Sequence, residues 1–215
     1  MTTYAGYKAD IRVASGTSVA FTDEAMTCVD GSPDYKIWQI NTSTKRMWDK
    51  AVSIVLEAND GGGWDPVSSA DYDVQHCGGR ITFHTGLNRS GWTVRVDGNY
   101  IPISYLGEAK GWTCDIKRKM VDVAAFGEEW DVKAPLTIGA TVKLSRWWVD
   151  GWFLTMVDAA QPLLVVILYE NDTVTYPRYE GFGYLTGSAA NAVRDGILEE
   201  DLDVEIDGEL YSYTS

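Results

Sequence analysis

Histidine most often supplies acid-base catalysis and zinc ligands, and it occurs at two positions in this sequence, His76 and His84. Between them lies the glycine pair at 78–79, which we predict as a two-residue hairpin connection because both positions of a type I′ turn need positive φ. Counting outward from this turn, His76 faces Ile81 and His84 faces Asp73. The two imidazoles are therefore not opposed, and we expect no shared metal site.

Other catalytic signatures are missing from the sequence, which contains no GxxxxGK(S/T), no GxGxxG after a strand, no GxSxG and no HExxH. Cys28, Cys77 and Cys114 are widely scattered without a CxxC spacing, which indicates reduced cysteines rather than a disulfide framework or a zinc site. A glycosidase-like carboxylate pair stays open, because 31 acids offer many pairs whose separation a sequence does not reveal. We predict a protein that is not an enzyme and that holds no cofactor or metal.

Alternating acids form the most regular polar pattern, near the end of the chain. The acids are Asp201, Asp203, Glu205, Asp207 and Glu209, and the apolar residues between and after them are Leu202, Val204, Ile206 and Leu210. A strand places these sets on opposite faces, so we predict that one face packs and the other stays in water. Two interpretations remain open: a solvated edge or outer strand that resists aggregation, or a charged surface of an oligomer. An EF-hand loop is excluded, because Thr214 stands where the loop needs Glu.

Net charge limits the partners of the protein. The chain has 215 residues with 31 Asp and Glu against 18 Lys and Arg, and its net charge of −13 disfavours a general phosphate-binding surface. Its longest strongly apolar run, residues 162–169, is shorter than the roughly 20 residues of a membrane helix, so we predict no membrane span. Residues 1–8 lack the pattern of a secretory signal, so we expect synthesis in a cytoplasm.

Aromatic residues and glycines are abundant in the elements that must carry these side chains. Nine Trp, 12 Tyr, 5 Phe and 21 Gly indicate strands joined by tight turns, and we predict a mainly β chain. The predicted hairpins lie at 9–22, 72–84 and 93–104, a buried strand with Val165 and Ile167 lies at 163–169, and the last strand lies at 197–210. One short helix is predicted at about 152–161, where apolar residues recur at helical spacing, namely Trp152, Phe153, Met156 and Val157. No linker divides the chain, so we expect a single domain over residues 1–215.

Short motifs recur over nearly the whole chain in a definite order. In the N-terminal half they are residues 10–14 (DIRVA), 18–25 (SVAFTDEA), 35–40 (YKIWQI), 45–49 (KRMWD) and the looser pattern of 72–83. Toward the C-terminus they are residues 179–186 (YEGFGYLT), 195–200 (DGILEE) and 204–210 (VEIDGEL). Taken together, these segments resemble the major tail tube protein of long-tailed bacteriophages. The last segment carries acids where the commoner FxGxGxL ending of that family has an aromatic residue and a glycine.

The resemblance implies a β-sandwich or rolled barrel of two packed antiparallel sheets with one short flanking helix. It implies hexameric rings that stack around a lumen, which first holds the tape measure protein and later passes double-stranded DNA without specific binding. It also implies tail terminator and baseplate or tip proteins as partners, a place in the tail of the virion, and synthesis in the cytoplasm of the bacterial host. Because a negative lumen would repel the DNA backbone, the five acids of the last strand are candidate lumen-facing residues.

A glycine-rich segment breaks the strand pattern where a ring-stacking loop would be needed. Its residues are Gly61, Gly62, Gly63, Trp64, Asp65 and Pro66. We predict a mobile loop at about 61–71 that becomes ordered on stacking, with Trp64 as an apolar anchor, and a C-terminal arm at 211–215 that behaves in the same way. The alternative is an ordinary surface loop with Trp64 folded back on the domain.

A second class of function is a monomeric carbohydrate-binding or adhesion β-sandwich, in which the nine Trp residues would supply stacking platforms. The scattered cysteines and the missing secretory signal count against a secreted module of this kind. We therefore keep it as the alternative to the tail tube.

Overall fold

Strands make up most of the described chain. The computed structural model describes residues 2–6, 8–32, 34–84, 89–122, 133–147, 153, 162–171, 177–191 and 199–213. In chain order the strands are β1 (Thr2–Gly6), β2 (Lys8–Ala14), β3 (Val19–Cys28), β4 (Ile37–Ile40), β5 (Val55–Asn59), β6 (Asp65–Val67), β7 (Tyr72–Gln75), β8 (Arg80–Phe83), β9 (Thr93–Tyr100), β10 (Ile103–Ala109), β11 (Gly111–Asp122), β12 (Lys133–Trp147), β13 (Leu164–Tyr169), β14 (Arg178–Asn191), β15 (Glu199–Ile206) and β16 (Tyr211–Tyr213). Short 3-10 helices at Ser43–Lys45 and Ser69–Asp71 lie in the connections.

The strands form two antiparallel sheets, which confirms the predicted mainly β fold. Sheet 1 has the order β1-β11-β12-β15-β14-β13-β2-β10, with β16 also paired to β14, and sheet 2 has the order β6-β5-β9-β3-β4-β8-β7. The chain divides into two compact units, the first made of Met1–Arg12 with Leu106–Thr214 and the second of Val13–Tyr105. The single domain expected from the sequence stays a prediction.

Sheet 1 curls, so that one of its faces becomes an interior. β11 and β13 are separated by three strands, yet the indole Nε1 of Trp112 donates to the carbonyl oxygen of Tyr169 at 2.9 Å. The Trp112 ring also meets the Tyr179 ring of β14 edge to face, with centroids 6.0 Å apart. Buried residues on the interior strands include Leu144, Leu164, Val166, Leu168, Leu185, Leu202 and Val204. On β12 and β15 alternate residues therefore point into this apolar core and the residues between them lie on the outer face, whereas β13 is buried on both of its faces.

Sheet 2 has a core of its own, centred on Phe21 and Trp48, whose rings lie 6.2 Å apart. Other members of this core are Trp38, Ile40, Leu56, Tyr72, Ile81, Phe83, Val94 and Val96. Gly98 of β9 packs against it so closely that an added Cβ would stand 2.5 Å from Ile54 Cδ1 and 3.2 Å from the Phe21 ring. Close packing against these side chains, and not a turn, therefore favours glycine at position 98.

Two of the predicted hairpins are wrong. β9 continues through residues 97–99 and pairs with β3 and β5 along this stretch, so no turn separates 93–96 from the residues after it. The N-terminal strands do not pair with each other, because β2 lies between β13 and β10 in sheet 1 while β3 lies between β9 and β4 in sheet 2. In both cases pairing with distant strands outweighed a local turn signal.

Other fold predictions can be compared directly with the described residues. The predicted core residues are buried, which confirms them, and they are Val165, Ile167, Leu202, Val204 and Ile206. Of the helix predicted at about 152–161, only Phe153 is among the described residues, and it is buried. The other three apolar residues of that helix, Trp152, Met156 and Val157, lie outside them. Within the described ranges, no helix has the length and apolarity that crossing a membrane requires.

Candidate functional site

β15 carries three of the five acids that the sequence singled out. The strand lies between β12 and β14, so it is an inner strand of sheet 1 and not an edge. Its apolar residues Leu202, Val204 and Ile206 are at most 6% exposed, because they point into the curled interior. The acids alternate with them on the outer face, where Asp201 and Glu205 are exposed and Asp203 is half-buried. We call these three residues, Asp201, Asp203 and Glu205, the acidic row.

Neighbouring strands supply polar partners to the acidic row. Ser145 of β12 stands opposite Asp201 and donates its hydroxyl to the carboxylate at 2.6 Å. Lys143 stands opposite Asp203, with its Nζ 3.7 Å from the carboxylate. These residues border a shallow groove of about 690 Å³ on the outer face. The Lys143 ammonium therefore offsets part of the negative charge of Asp203.

The last two candidate acids lie beyond the end of β15. The sequence predicted a strand up to residue 210, but β15 ends at Ile206 because Gly208 adopts a φ of 90° and turns the chain. Asp207 and Glu209 flank this glycine and are exposed. After the turn, residues 211–213 of the predicted C-terminal arm pair with β14 as β16, and Tyr213 is 2% exposed. Residues 214 and 215 lie outside the described chain.

An acid that the sequence analysis missed fixes the register of β15. Glu200 is fully buried and accepts a hydrogen bond from Nε of Arg146, its partner on β12, at 2.8 Å. Ser188 of β14 donates to the other carboxylate oxygen at 2.7 Å. The Arg146 guanidinium in turn lies 4.3 Å from the centre of the Phe153 ring. The sequence contains a signal for this role. Glu200 is two residues before the buried Leu202, so a strand places both on the same face, opposite the acidic row.

The glycine-rich segment forms the connection between β5 and β6 in sheet 2. The side chain of Asn59 accepts the backbone N–H of Gly61 at 2.8 Å, and that of Asp60 accepts the N–H of Gly62 at 3.1 Å. Gly61 and Gly63 adopt φ angles of 113° and 143°, a region that favours glycine. Asp65 and Pro66 already belong to β6, an edge strand. These contacts lie within the subunit, and the mobility of the loop at about 61–71 and its ordering on stacking stay predictions.

Trp64, the predicted anchor, is 40% exposed and has a partner within the same chain. The guanidinium of Arg95 stands 4.3 Å from the centre of the indole ring, which is a cation–π contact. Arg95 is itself held by Asp23 at 2.8 Å and by Glu57 at 2.5 Å. One side of the indole is therefore packed, and a partner protein would find the rest of it accessible.

A cluster of exposed apolar residues in sheet 1 lies on a part of the chain that the sequence analysis did not single out. We define the distal hairpin as residues 117–122 of β11 and 133–139 of β12, which pair with each other. Its exposed apolar residues are Met120, Val121, Leu136 and Ile138, with exposures of 52%, 42%, 51% and 56%. The basic residues among them, all exposed, are Lys117, Arg118, Lys119 and Lys133. The alternation in residues 134–138 is typical of a strand. These residues are exposed because this part of β12 extends past the end of the curled interior, which the sequence does not reveal.

Neither histidine belongs to the acidic row or to the distal hairpin. The hairpin around residues 78–79 is present, and Gly78 and Gly79 have φ of 100° and 60°. Its connection spans the four residues 76–79 and not the two predicted, because Gln75 pairs with Arg80. The predicted pairing is therefore wrong, since Ile81 pairs with Val74 and not with His76, and Asp73 pairs with Thr82 and not with His84. His84 lies 3.0 Å from a carboxylate oxygen of Asp73, and this hydrogen bond raises its pKa. Burial lowers the pKa of His76.

Cys28, Cys77 and Cys114 form no disulfide bond in the described part of the chain. Burial raises the pKa of Cys114 to about 11, so that thiol stays protonated at neutral pH. In the part of the chain that the structure describes, no group of three or more His, Cys, Asp or Glu residues could hold a metal ion.

Comparison with known proteins gives a structural likeness but no match in sequence. No model of a protein family matches the chain, and no curated protein matches it. Among solved structures, the chain is similar to the SPP1 tail tube, whose hybrid structure was determined by solid-state NMR and cryo-EM. The two are 10% identical, the match covers 76% of this chain and 77% of that one, and the TM-score is 0.34.

Proposed function

We propose that this chain is a structural subunit of a bacteriophage tail tube. Six copies form a ring, the rings stack, and the lumen encloses the tape measure protein and then conducts double-stranded DNA. Tail terminator and baseplate or tip proteins close the two ends of the tube, and the assembled protein belongs to the virion. The order of sequence motifs along the chain supports this assignment, and the exposed distal hairpin is the structural observation that carries it.

The distal hairpin supports self-association because a lone subunit gains little from it. An isolated two-stranded hairpin is marginally stable in water, and here neither face is covered by the rest of sheet 1. Clustered apolar side chains that remain exposed in this way mark surfaces for other proteins. Its four basic residues also suit a partner of negative charge, and every copy of this chain has a net charge of −13.

The acidic row supports a conduit for DNA rather than a protein that binds it. A surface with basic residues gains affinity for DNA by releasing counterions from the phosphates, whereas carboxylates repel the same phosphates. In a ring, the acidic row of every copy would contribute to one lumen. DNA would then pass without being held at successive rings.

Assembly can be tested with the purified chain at rising concentration. We expect rings or tubes in negative-stain images and a matching fast species in sedimentation velocity. The variant Leu136→Ser with Ile138→Ser should stay monomeric, because it removes two exposed apolar contacts of the distal hairpin.

A matched control uses exposed apolar residues of sheet 2. Val19 and Val55 are 42% and 49% exposed, and the double variant Val19→Ser with Val55→Ser should assemble like the parent chain. A parent chain that stays monomeric at every concentration, or a hairpin variant that assembles normally, would contradict the proposal.

A further inference from the structure

The two faces of the distal hairpin carry different side chains. Ile138 and Leu136 lie two and four residues before the buried Ala140, so they continue the inner face of sheet 1 past the end of the curled interior. Met120 pairs with Pro135, and directly opposed residues of an antiparallel pair project to the same side. Because Pro135 alternates with Leu136, Met120 projects from the outer face. The hairpin therefore exposes apolar side chains on both of its faces.

The inner face of the hairpin borders an open pocket. This cavity of about 420 Å³ lies within the first unit, between sheet 1 and the turn that follows β15, and its lining residues include Ile116, Ile138, Ala140, Gly208, Glu209 and Leu210. Most of the lining is aliphatic, and Glu209 places an exposed carboxylate at its edge. We call this cavity the hairpin pocket. It offers an apolar side chain a place out of water beside a negative charge.

The outer face of the hairpin presents a flexible apolar side chain among basic residues. Met120 is 52% exposed, and an unbranched thioether adapts its shape to the cavity that it enters. Lys117 pairs with Gly139 and projects from the same outer face, and Lys119 lies beside Met120 where the register of β11 shifts. Both lysines are exposed. An apolar side chain flanked by positive charge is the complement of the hairpin pocket.

We infer that the outer face of one distal hairpin binds the hairpin pocket of a second copy, with Met120 in the pocket and Lys119 beside Glu209. The inference rests on the tail tube proposal and names the partner of the distal hairpin. Two different surfaces meet in this contact, so it is heterologous, and a heterologous contact forms a ring when its rotation closes. A contact between two identical faces would end at a dimer. The inferred contact therefore allows each copy to bind two neighbours, as a ring of six requires.

An exchange of charges tests whether the two surfaces meet. Sedimentation velocity of the full-length chain gives the protein concentration at which rings form. Lys119→Glu and Glu209→Lys should each raise this concentration at least about threefold, because each brings like charges together at the contact. The variant that carries both changes should return to within about twofold of the parent, because it restores an opposite pair in the reverse orientation.

A matched control has the same net charge as the exchanged pair but a different position. Asp34 is exposed in the second unit, so Lys119→Glu with Asp34→Lys should stay as impaired as Lys119→Glu alone.

Removal of the apolar side chain is the second variant test. Met120→Ser should raise the concentration for rings about tenfold, a loss typical of a central apolar contact. Its urea midpoint as a monomer should equal that of the parent, because Met120 is exposed in the lone subunit.

Three outcomes would overturn the inference and leave the tail tube proposal in place. They are rings of Met120→Ser at the parental concentration, no rescue in the variant with exchanged charges, and equal rescue by Asp34→Lys. A parent chain that never assembles would contradict the tail tube proposal, and this inference with it. The behaviour of the parent therefore separates the two failures.

Discussion

β15 and the distal hairpin both belong to sheet 1, yet their apolar residues differ in burial. On β15 the apolar side chains are at most 6% exposed and only polar groups meet the water. On the distal hairpin four large apolar side chains are between 42% and 56% exposed. A charged outer face is compatible with a lone subunit, whereas a hairpin with exposed apolar residues needs a partner. The distal hairpin is thus the surface that requires assembly, and the outer face of β15 is the surface that the assembled tube would use.

The largest effect we predict concerns the buried acid of β15. Glu200→Ala should lower the free energy of unfolding by about 3–5 kcal/mol, because it leaves the buried Arg146 guanidinium without its carboxylate. The neighbouring Asp201→Ala should change it by less than about 0.5 kcal/mol, since Asp201 is exposed. Urea titration followed by Trp fluorescence measures both. Equal losses would mean that the two faces of β15 are not distinguished as described.

The second prediction compares one residue type in the two regions. Ile206→Ala should cost about 2–5 kcal/mol in urea titration, because Ile206 is 6% exposed in the interior of sheet 1. Ile138→Ala should cost less than about 0.5 kcal/mol in the monomer, because that side chain is 56% exposed. In assembly assays, by contrast, Ile138→Ala should have a clear effect, because the variant should need a higher protein concentration than the parent chain to form rings. A large loss in monomeric Ile138→Ala would show that the distal hairpin is packed within its own subunit.

Alternation explains how much of this could be predicted from the sequence. The mainly β fold and the burial of Leu202, Val204 and Ile206 follow from a period of two, which burial of one face imposes directly. The same rule would have placed Glu200 inside, but its position between two other acids made it look like part of a solvated run.

Long-range packing decided the features that the sequence did not reveal. Asp97-Gly98 has the composition of a turn, but glycine at position 98 is favoured because a Cβ there would displace the side chains of Phe21 and Ile54. The exposure of Leu136 and Ile138 depends on where the curled interior ends, which no local pattern specifies. Arg89 contacts Phe83 only through the tertiary fold, so no local sequence pattern predicted that contact.

The third prediction tests two residues of the acidic row together with Asp207, which follows the end of β15. The triple variant Asp203→Lys, Glu205→Lys and Asp207→Lys should lower the free energy of unfolding by only about 1 kcal/mol, from loss of the Lys143 pair and new like-charge contacts. Tubes built from it should hold phosphates, so virions should eject DNA more slowly than the parent, and most clearly at low salt. Ejection at the parental rate would indicate that these acids face outward in the tube, as a solvated surface.

The smallest expected effect concerns Trp64 and decides between the loop at 61–66 and the distal hairpin as the main apolar contact. Trp64→Ala removes the cation–π contact with Arg95, which is worth about 0.5–1 kcal/mol at an exposed site, so the monomer should lose about that much stability. Because the indole already has a partner in its own chain, we expect the variant to form rings at nearly the parental concentration. Trp147→Ala, at a residue that is 58% exposed in β12, serves as the control for loss of an exposed indole. Complete loss of assembly in Trp64→Ala, with the control unaffected, would transfer the stacking contact from the distal hairpin to this loop.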